Sequence, residues 1–438
     1  MKEFSKEQKK LSGWGKNKFF NCNIAYPKNI NELKALVKGN IIARGLGRSY
    51  GNSSIQPSST IVTTKLNKIL YFNKKNGIIE VESGISIKEL VKETVRNGWF
   101  LPVTPGSKYI TIGGMVASDV HGKNHHKVGS FRNFILDLRV INNRGKVLLC
   151  NKIKNRDLFN YTIGAMGLTG IIYSCRFKLK KISSNLIFQE TLKNKDLKET
   201  LRSFENSKNW EYNVAWLDGS ANQNKIGRSV TYRAHHIKKK KSILEFKAEK
   251  SIKIPNMFPS WFMNSYTIKL LNFLYYLLSA KSKKVISLDK YFFPLDRIKN
   301  WNIVYGKKGF ITYQFIVPYK NSYNVINKIL NILSDNKIYS YISVIKSMKK
   351  NNKYLSFGKE GLSFVFDFPI YKNIDKVLDK IDKIIISNNG DMYLTKDSRI
   401  TRGIFQKINK KFYSPSFKKF RKKEDCYFSS LQSRRLKI

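Results

Sequence analysis

Apolar positions in the first 180 residues fall into short runs separated by stretches of helical periodicity. Residues 69–72 and 78–81 read as strands. Residues 86–97 read as an amphipathic helix, with Ser86 and Glu89 at capping-box spacing and Gly98 placed to end it in a left-handed turn. Residues 135–141 and 147–150, joined through Asn143, Arg144 and Gly145, predict a β-hairpin. From Asn185 the pattern becomes mixed, with strands at 213–217 and 313–317 and an amphipathic helix at 323–334. No internal repeat is visible. The alternation predicts an α+β protein, and 438 residues accommodate two lobes with ample apolar content for a core.

One segment breaks the pattern. Residues 235–284 carry lysines at 238–241 and 247–253, an aromatic stretch at 255–263, and then an apolar run at 270–278 followed by Lys281, Lys283 and Lys284. The run is too short to span a bilayer and is interrupted by Asn272, with Lys269 before it. Two readings stay open: an interfacial helix with basic flanks on an anionic membrane, and an ordinary buried helix of the second lobe.

Charge sharpens the choice of partner. Lys and Arg number 82 against 30 Asp and Glu, a formal net charge of +52. An anionic ligand or surface is the expectation. A compositional bias toward Lys, Asn, Ile, Phe and Tyr is the plainer account, although it leaves the shortage of acids unexplained. The charge is spread along the chain and no nucleic-acid-binding signature appears, which argues against nucleic acid. Cys22, Cys150, Cys175 and Cys426 are too scattered for a metal site or a C-x-x-C unit, so free thiols in a reducing compartment are expected. The first ten residues lack the apolar stretch of a secretory signal, which points to the cytoplasm.

Two glycine-rich loops carry the chemistry. The first holds Arg44, Gly45, Leu46, Gly47, Arg48, Ser49, Tyr50 and Gly51, then Asn52. Glycines let backbone amides approach an anion closely. The loop runs into polar residues rather than a helix, so it is no dinucleotide fingerprint, and alone it reads equally as a tight turn. The second loop adds Thr104, Pro105, Gly106, Thr111, Gly113, Gly114 and Ser118, then Asp119, His121, Gly122, Lys123, Asn124 and His125. Small and polar residues in this density are poor core material and good lining for a bulky, planar, polar ligand.

With these loops, Gly164, Gly167, Thr169 and Gly170, the Ala215 to Asp218 stretch, residues 305–318 and the Lys396 to Arg399 stretch, the chain resembles FAD-dependent oxidoreductases of the vanillyl-alcohol-oxidase type over most of its length. Within them it is most similar to the branch that oxidises polyprenylphosphoryl ribose. The resemblance implies a two-lobed FAD-binding domain of that type plus a mixed α/β substrate domain: residues 1–185, residues 186–390, and a return to the first lobe over 391–438. It assigns both glycine loops, Gly167, Gly170 and Ile171 to FAD, with no metal. It gives Lys396, His121, Lys123 and Tyr50 catalytic roles and sets Trp216, Tyr305, Gln314, Lys346 and Lys396 around the substrate. Many relatives attach FAD covalently through a histidine at the place of Arg48, so dissociable FAD is expected here.

The implied reaction is oxidation of the 2-hydroxyl of a polyprenylphosphoryl ribose, completed to the arabinose form by an NAD(P)H-dependent short-chain reductase. For His121 a plainer role is a histidine held by backbone hydrogen bonds, and for Trp216 and Tyr305 it is core packing. A lysine serves as a base only if desolvation or nearby cations lower its pKa. Val214, Thr312, Ser363 and Val365 depart from the polar groups or cysteine that the family pattern implies, which leaves the sugar open. An oxidase of a soluble alditol, aldonolactone or other sugar, and a non-enzymatic basic binding protein, are the competing readings.

Overall fold

The structure is a computed structural model that describes residues 7–238, 244–255, 259, 261–351 and 354–438. The first six residues, most of the lysine run at 238–241, part of the aromatic stretch at 255–263 and Lys353 lie outside the described residues.

Two larger sheets, with a short pairing of residues 99–100 to 180–181, build the first lobe. Strands β1 (Glu7–Ser12), β2 (Phe19–Ala25), β3 (Ile42–Arg44) and β4 (Thr60–Val62) form one in the order β1-β2-β4-β3, with β4 parallel to both neighbours. Strands β5 (Ile69–Asn73), β6 (Ile78–Glu82), β7 (Ile135–Ile141), β8 (Val147–Asn151) and β9 (Ile171–Lys178) form the other, antiparallel in the order β5-β6-β9-β7-β8. The expected hairpin is β7–β8, whose turn is made by Gly145 at φ +69°. Helix α1 (Ile87–Arg96) starts at the expected box: Glu89 N donates to Ser86 Oγ, and Ser86 N donates to Glu89 Oε2 at 2.8 Å. It ends before Gly98, at φ +79°. Helix α2 (Ile112–Ala117) follows, capped by Thr111, whose Oγ1 accepts from Gly114 N.

An eight-stranded antiparallel sheet makes the second lobe. Its strands are β10 (Leu186–Asn194), β11 (Tyr212–Leu217), β12 (Ser229–His236), β13 (Ser282–Ser287), β14 (Phe310–Val317), β15 (Ile342–Met348), β16 (Gly361–Pro369) and β17 (Asp391–Met392). Their order is β13-β10-β12-β11-β15-β16-β14-β17. Phe315, Phe364, Phe366 and Phe368 stack across β14 and β16, the kind of cross-strand pairing that fixes register. Helices α4 (Ser322–Asp335) and α5 (Ile374–Ser387) bury stripes such as Val325, Ile329, Leu333 and Val377, Ile381, Ile385 in the same core.

Helix α3 (Ser265–Leu278) behaves differently: only Ile268 and Asn272 are buried. The reading of this stretch as a buried helix is therefore corrected, because most of its apolar residues face outward. Among the described residues no helix is long and apolar enough to cross a membrane.

The lobes are fastened by buried charge. Lys108 Nζ donates to Asp289 at 2.5 Å, and Asp296 accepts from Lys108 N at 2.6 Å and from Ser107 Oγ at 2.8 Å. Asp391 and Met392 still belong to the second sheet, and the chain after them folds back on the first lobe: Tyr50 N donates to Thr395 O, Ser429 N to Ile41 O and Leu431 N to Ile55 O.

Candidate active site and flavin cleft

The first loop leaves β3 with Arg44 as its brace, whose guanidinium donates to Ser12 O at 2.7 Å and Ser54 Oγ at 3.2 Å. Gly47 sits at φ +65°, where a side chain is strained. A Cβ on Gly45 would strike the Thr111 side chain, and one on Gly113 would lie 2.7 Å from Ser83 Cβ. The two loops are thus pressed together with only glycine between them. Beside them Gly45, Gly47, Ser49, Thr111, Gly114, Ser118, Gly167, Gly170 and Thr395 line a cleft with about 830 Å³ of space open to solvent. Leu46 and Arg48 line it as well.

The other residues assigned to FAD take varied positions. Asn52 keeps a buried Oδ1 without a partner. Thr104 and Pro105 are buried, whereas Gly106 is exposed with open space around it. Gly122 packs against Thr104, and Asn124 Nδ2 donates to Pro102 O at 2.8 Å. Ile171 buries its side chain in a core with Leu33, Ile41 and Ile61, while Ile172 lines the cleft, as alternation along β9 requires.

Asp119 anchors the second loop. Its backbone is left-handed at φ +39°, and its carboxylate accepts from Ser130 Oγ at 2.9 Å and Arg132 N at 3.0 Å. This turn delivers His121 toward the second lobe. The ring packs on Tyr393 and Phe357. His121 Nε2 lies 3.0 Å from Gln314 Nε2, which also donates to Ser363 Oγ at 3.0 Å. In this orientation the Gln314 amide donates to Nε2 and leaves the proton on Nδ1, a buried group with no partner. Burial, then the charges of Lys346, His125 and Lys396, hold the His121 pKa well below the usual range, so the imidazole is neutral. His121 is held by a side-chain amide rather than by backbone. His125 is likewise pushed down to about 3, chiefly by burial, and its Nδ1 accepts from Lys349 N.

Three lysines converge on this histidine or on one another. Lys123 donates to Tyr291 O, lies 4.1 Å above the Tyr291 ring, and is pushed down to about 7 by burial and by Lys346. Lys346, on β15, is lowered to about 8 by burial. Lys396 lies 3.5 Å above the Tyr50 ring. Burial lowers its pKa, Asp367 opposes the change, and Lys346 adds to it. Asp367 is itself pushed up by burial and accepts from Thr312 Oγ1 at 2.6 Å. Tyr50 stays a neutral phenol, because burial raises its pKa well above the usual value. Tyr305 is buried and stacked on Phe310 at 4.4 Å, with a hydroxyl that lacks a partner. Trp216 on β11 stands opposite Val344, two residues from Lys346 on the same face of the sheet; its Nε1 donates to Tyr341 O at 3.4 Å and its ring lies 4.4 Å from Tyr275 of α3.

Sequence reasoning missed Asp367, Tyr393 and the Asp119–Arg132 clamp. Asp367 did leave a signal, as the one charged residue in the apolar strand β16. Tyr393, whose hydroxyl donates to Ser118 O, left none.

A glycine-walled cleft beside neutral imidazole, buried amines and a buried carboxyl defines a flavin-dependent oxidoreductase. A model of the FAD binding domain matches residues 23–151. The chain is 30% identical over 426 residues to the decaprenylphosphoryl-beta-D-ribose oxidase of Mycolicibacterium smegmatis, with 92% of each chain covered. It belongs to that family of FAD-dependent oxidoreductases, and its cofactor is FAD. More distant similarity, confined to about a third of each chain, connects it to D-lactate dehydrogenase of Anaerostipes hadrus (30% identical, 32% of each). The same holds for D-2-hydroxyglutarate dehydrogenase of Stutzerimonas stutzeri (26% identical, 37% of this chain and 38% of the relative). The non-enzymatic binding protein is thereby set aside.

The residues present fit FAD. The cleft is walled by backbone where a Cβ would collide, and Arg48 Nε, Asn52 Oδ1 and Ser83 Oγ are buried polar atoms without a protein partner. Such orphans call for a polar ligand or water.

Proposed function

We propose that this chain oxidises the 2-hydroxyl of a polyprenylphosphoryl ribose to the 2-keto sugar, the first half of an epimerisation to the arabinose form. An NAD(P)H-dependent short-chain reductase completes it. The observation that carries this reading is the gathering of Lys123, Lys346 and Lys396 beside neutral His121. FAD, when bound, supplies the two-electron acceptor. Both glycine loops and Gly167 and Gly170 hold it, without a covalent bond.

Lys396 takes the proton of the substrate hydroxyl, a role open to an amine whose pKa is lowered toward neutrality. Lys346 and Lys123 hold the phosphate, and a bound anion restores their charge. The His121 Nδ1–H donates to a sugar oxygen, with Gln314 fixing its tautomer. Tyr50 and Tyr305 present phenols to the same pocket, and Trp216 flanks the approach to the sugar. As working boundaries we take 1–185 and 391–438 for the flavin lobe and 186–390 for the substrate lobe. We place the enzyme in the cytoplasm, at the inner face of the membrane.

The test is anaerobic bleaching of the flavin absorbance. Polyprenylphosphoryl ribose is expected to bleach it where free ribose and simple alditols do not. Bleaching by a free polyol alone would overturn the reading in favour of a soluble-sugar oxidase.

A further inference from the structure

Helix α3 is the most apolar of the long helices and the least buried. A helix apolar on all sides belongs in a core or in lipid, and this one is not in a core. Tyr266 is 86% exposed and Leu278 79%, with Leu270 and Leu277 also outward. Trp261, 71% exposed, precedes the helix, and Val285 on β13, which follows it, is exposed as well. Contiguous apolar patches of this kind are rare on soluble monomers unless something covers them.

Charge indicates the cover. From Trp261 to Ser287 the sequence has no Asp or Glu, and Lys269, Lys281, Lys283 and Lys284 are all exposed. A second copy of the chain would bring the same lysines face to face on a protein of formal charge +52. We propose that α3 lies flat on an anionic lipid surface, its apolar residues in the acyl boundary, Trp261 at headgroup depth and the four lysines among lipid phosphates. At 14 residues and about 1.5 Å per residue the helix is about 21 Å long, suited to lying in the interface rather than crossing it.

The inner side of the same helix packs on the central strands of the substrate lobe's sheet. Tyr275 packs on Trp216 and shares a 2.6 Å hydrogen bond with Tyr232, and Asn272 Nδ2 donates to Ser340 O at 3.0 Å. Docking therefore sets the bilayer one side-chain layer from Trp216, so a lipid-linked sugar reaches the lysines while its chain stays in the membrane. That purpose, though not the docking itself, rests on the function proposed above.

The test is flotation of the FAD-loaded protein with phosphatidylcholine vesicles, with and without phosphatidylglycerol. Wild type is expected to float with the anionic vesicles and to be released by salt. A variant with Leu270→Glu, Leu277→Glu and Leu278→Glu, all at exposed positions, is expected to lose roughly tenfold or more of that binding. Lys281→Ala, Lys283→Ala and Lys284→Ala are expected to lose about fivefold each. Wild type that stays in solution, variants that float as well as wild type, or a dimer that the glutamates split would each overturn the proposal. Flavin bleaching by a short-chain, water-soluble prenylphosphoryl ribose is read in the same samples and reports on the substrate alone. Its failure beside intact flotation would leave the docking supported and the substrate wrong.

Discussion

Replacing Gly51 by alanine tests whether the two ends of the chain meet as tightly as the site requires. A Cβ at this position would lie 3.0 Å from both Asp397 C and Ser398 Cα, and nearer still to the Asp397 carbonyl oxygen. Heavy atoms in ordinary contact rest about 3.4–4 Å apart and the carbonyl oxygen is the nearest obstacle, so the segment that follows Lys396 must retreat by more than about 1 Å. The obstacle is backbone, held in place by the hydrogen bond from Tyr50 N to Thr395 O at 2.9 Å, so it cannot rotate aside. Overpacking of this kind costs about 1–3 kcal/mol. Displacing a catalytic group by about 1 Å costs on the order of 100-fold in rate. Gly403 is the control: it is exposed, lies outside both glycine loops, and a Cβ there meets nothing within 4 Å. Thermal unfolding and the anaerobic bleaching rate are measured on FAD-loaded Gly51→Ala and Gly403→Ala. The first is expected to lose several degrees in Tm, at about 2–4 °C per kcal/mol, and about 100-fold in bleaching rate, and the second neither. A Gly51→Ala enzyme that bleaches within about twofold of wild type would refute the reasoning.

Lys346→Met should act on its neighbours as well as on the substrate. The Lys346 charge lowers the pKa of His121, Lys123 and Lys396, so removing it raises all three. The base must be unprotonated to act, so the acid limb of the kcat/KM profile is expected to move to higher pH. KM should rise for the phosphorylated sugar and not for an unphosphorylated analogue; an acid limb that stays in place or moves down would contradict the assignment. Arg48, whose guanidinium lies 3.8 Å over the Trp14 ring, cannot form a covalent link to FAD. Acid precipitation is therefore expected to leave the flavin in the supernatant, and colour retained in the pellet would contradict it.

Much of the scaffold was legible because local rules wrote it. Ser86 and Glu89 announce a helix start, Gly145 a hairpin turn, and the spacing of Gly45, Gly47, Gly113 and Gly114 a place where two backbones close on a ligand. The apolar run with basic flanks was visible too, but whether it faced inward depended on tertiary packing. The centre of the site was legible only through resemblance, since it is built from cross-strand register. Thr312 stands opposite Asp367, and Lys346 opposite Ser363, because β16 pairs with β14 on one side and β15 on the other. A shift of one residue would turn each of these side chains to the other face. Nothing in a lysine-rich chain marks Lys396 as different until Asp367 and Tyr50 are brought to it from distant strands and loops.

The return of the chain to the first lobe from Thr395 onward has a consequence for how the protein is made. The first loop leaves the ribosome early, but Thr395, which lines the cleft and holds Tyr50 N, follows hundreds of residues later. At about 5–20 residues per second the interval is on the order of tens of seconds. During that time the nascent flavin lobe has one wall of its binding site and lacks the other. Cofactor retention is thus a property of the finished chain, and a ribosome that stalls before Thr395 releases a product that cannot close its cleft over FAD.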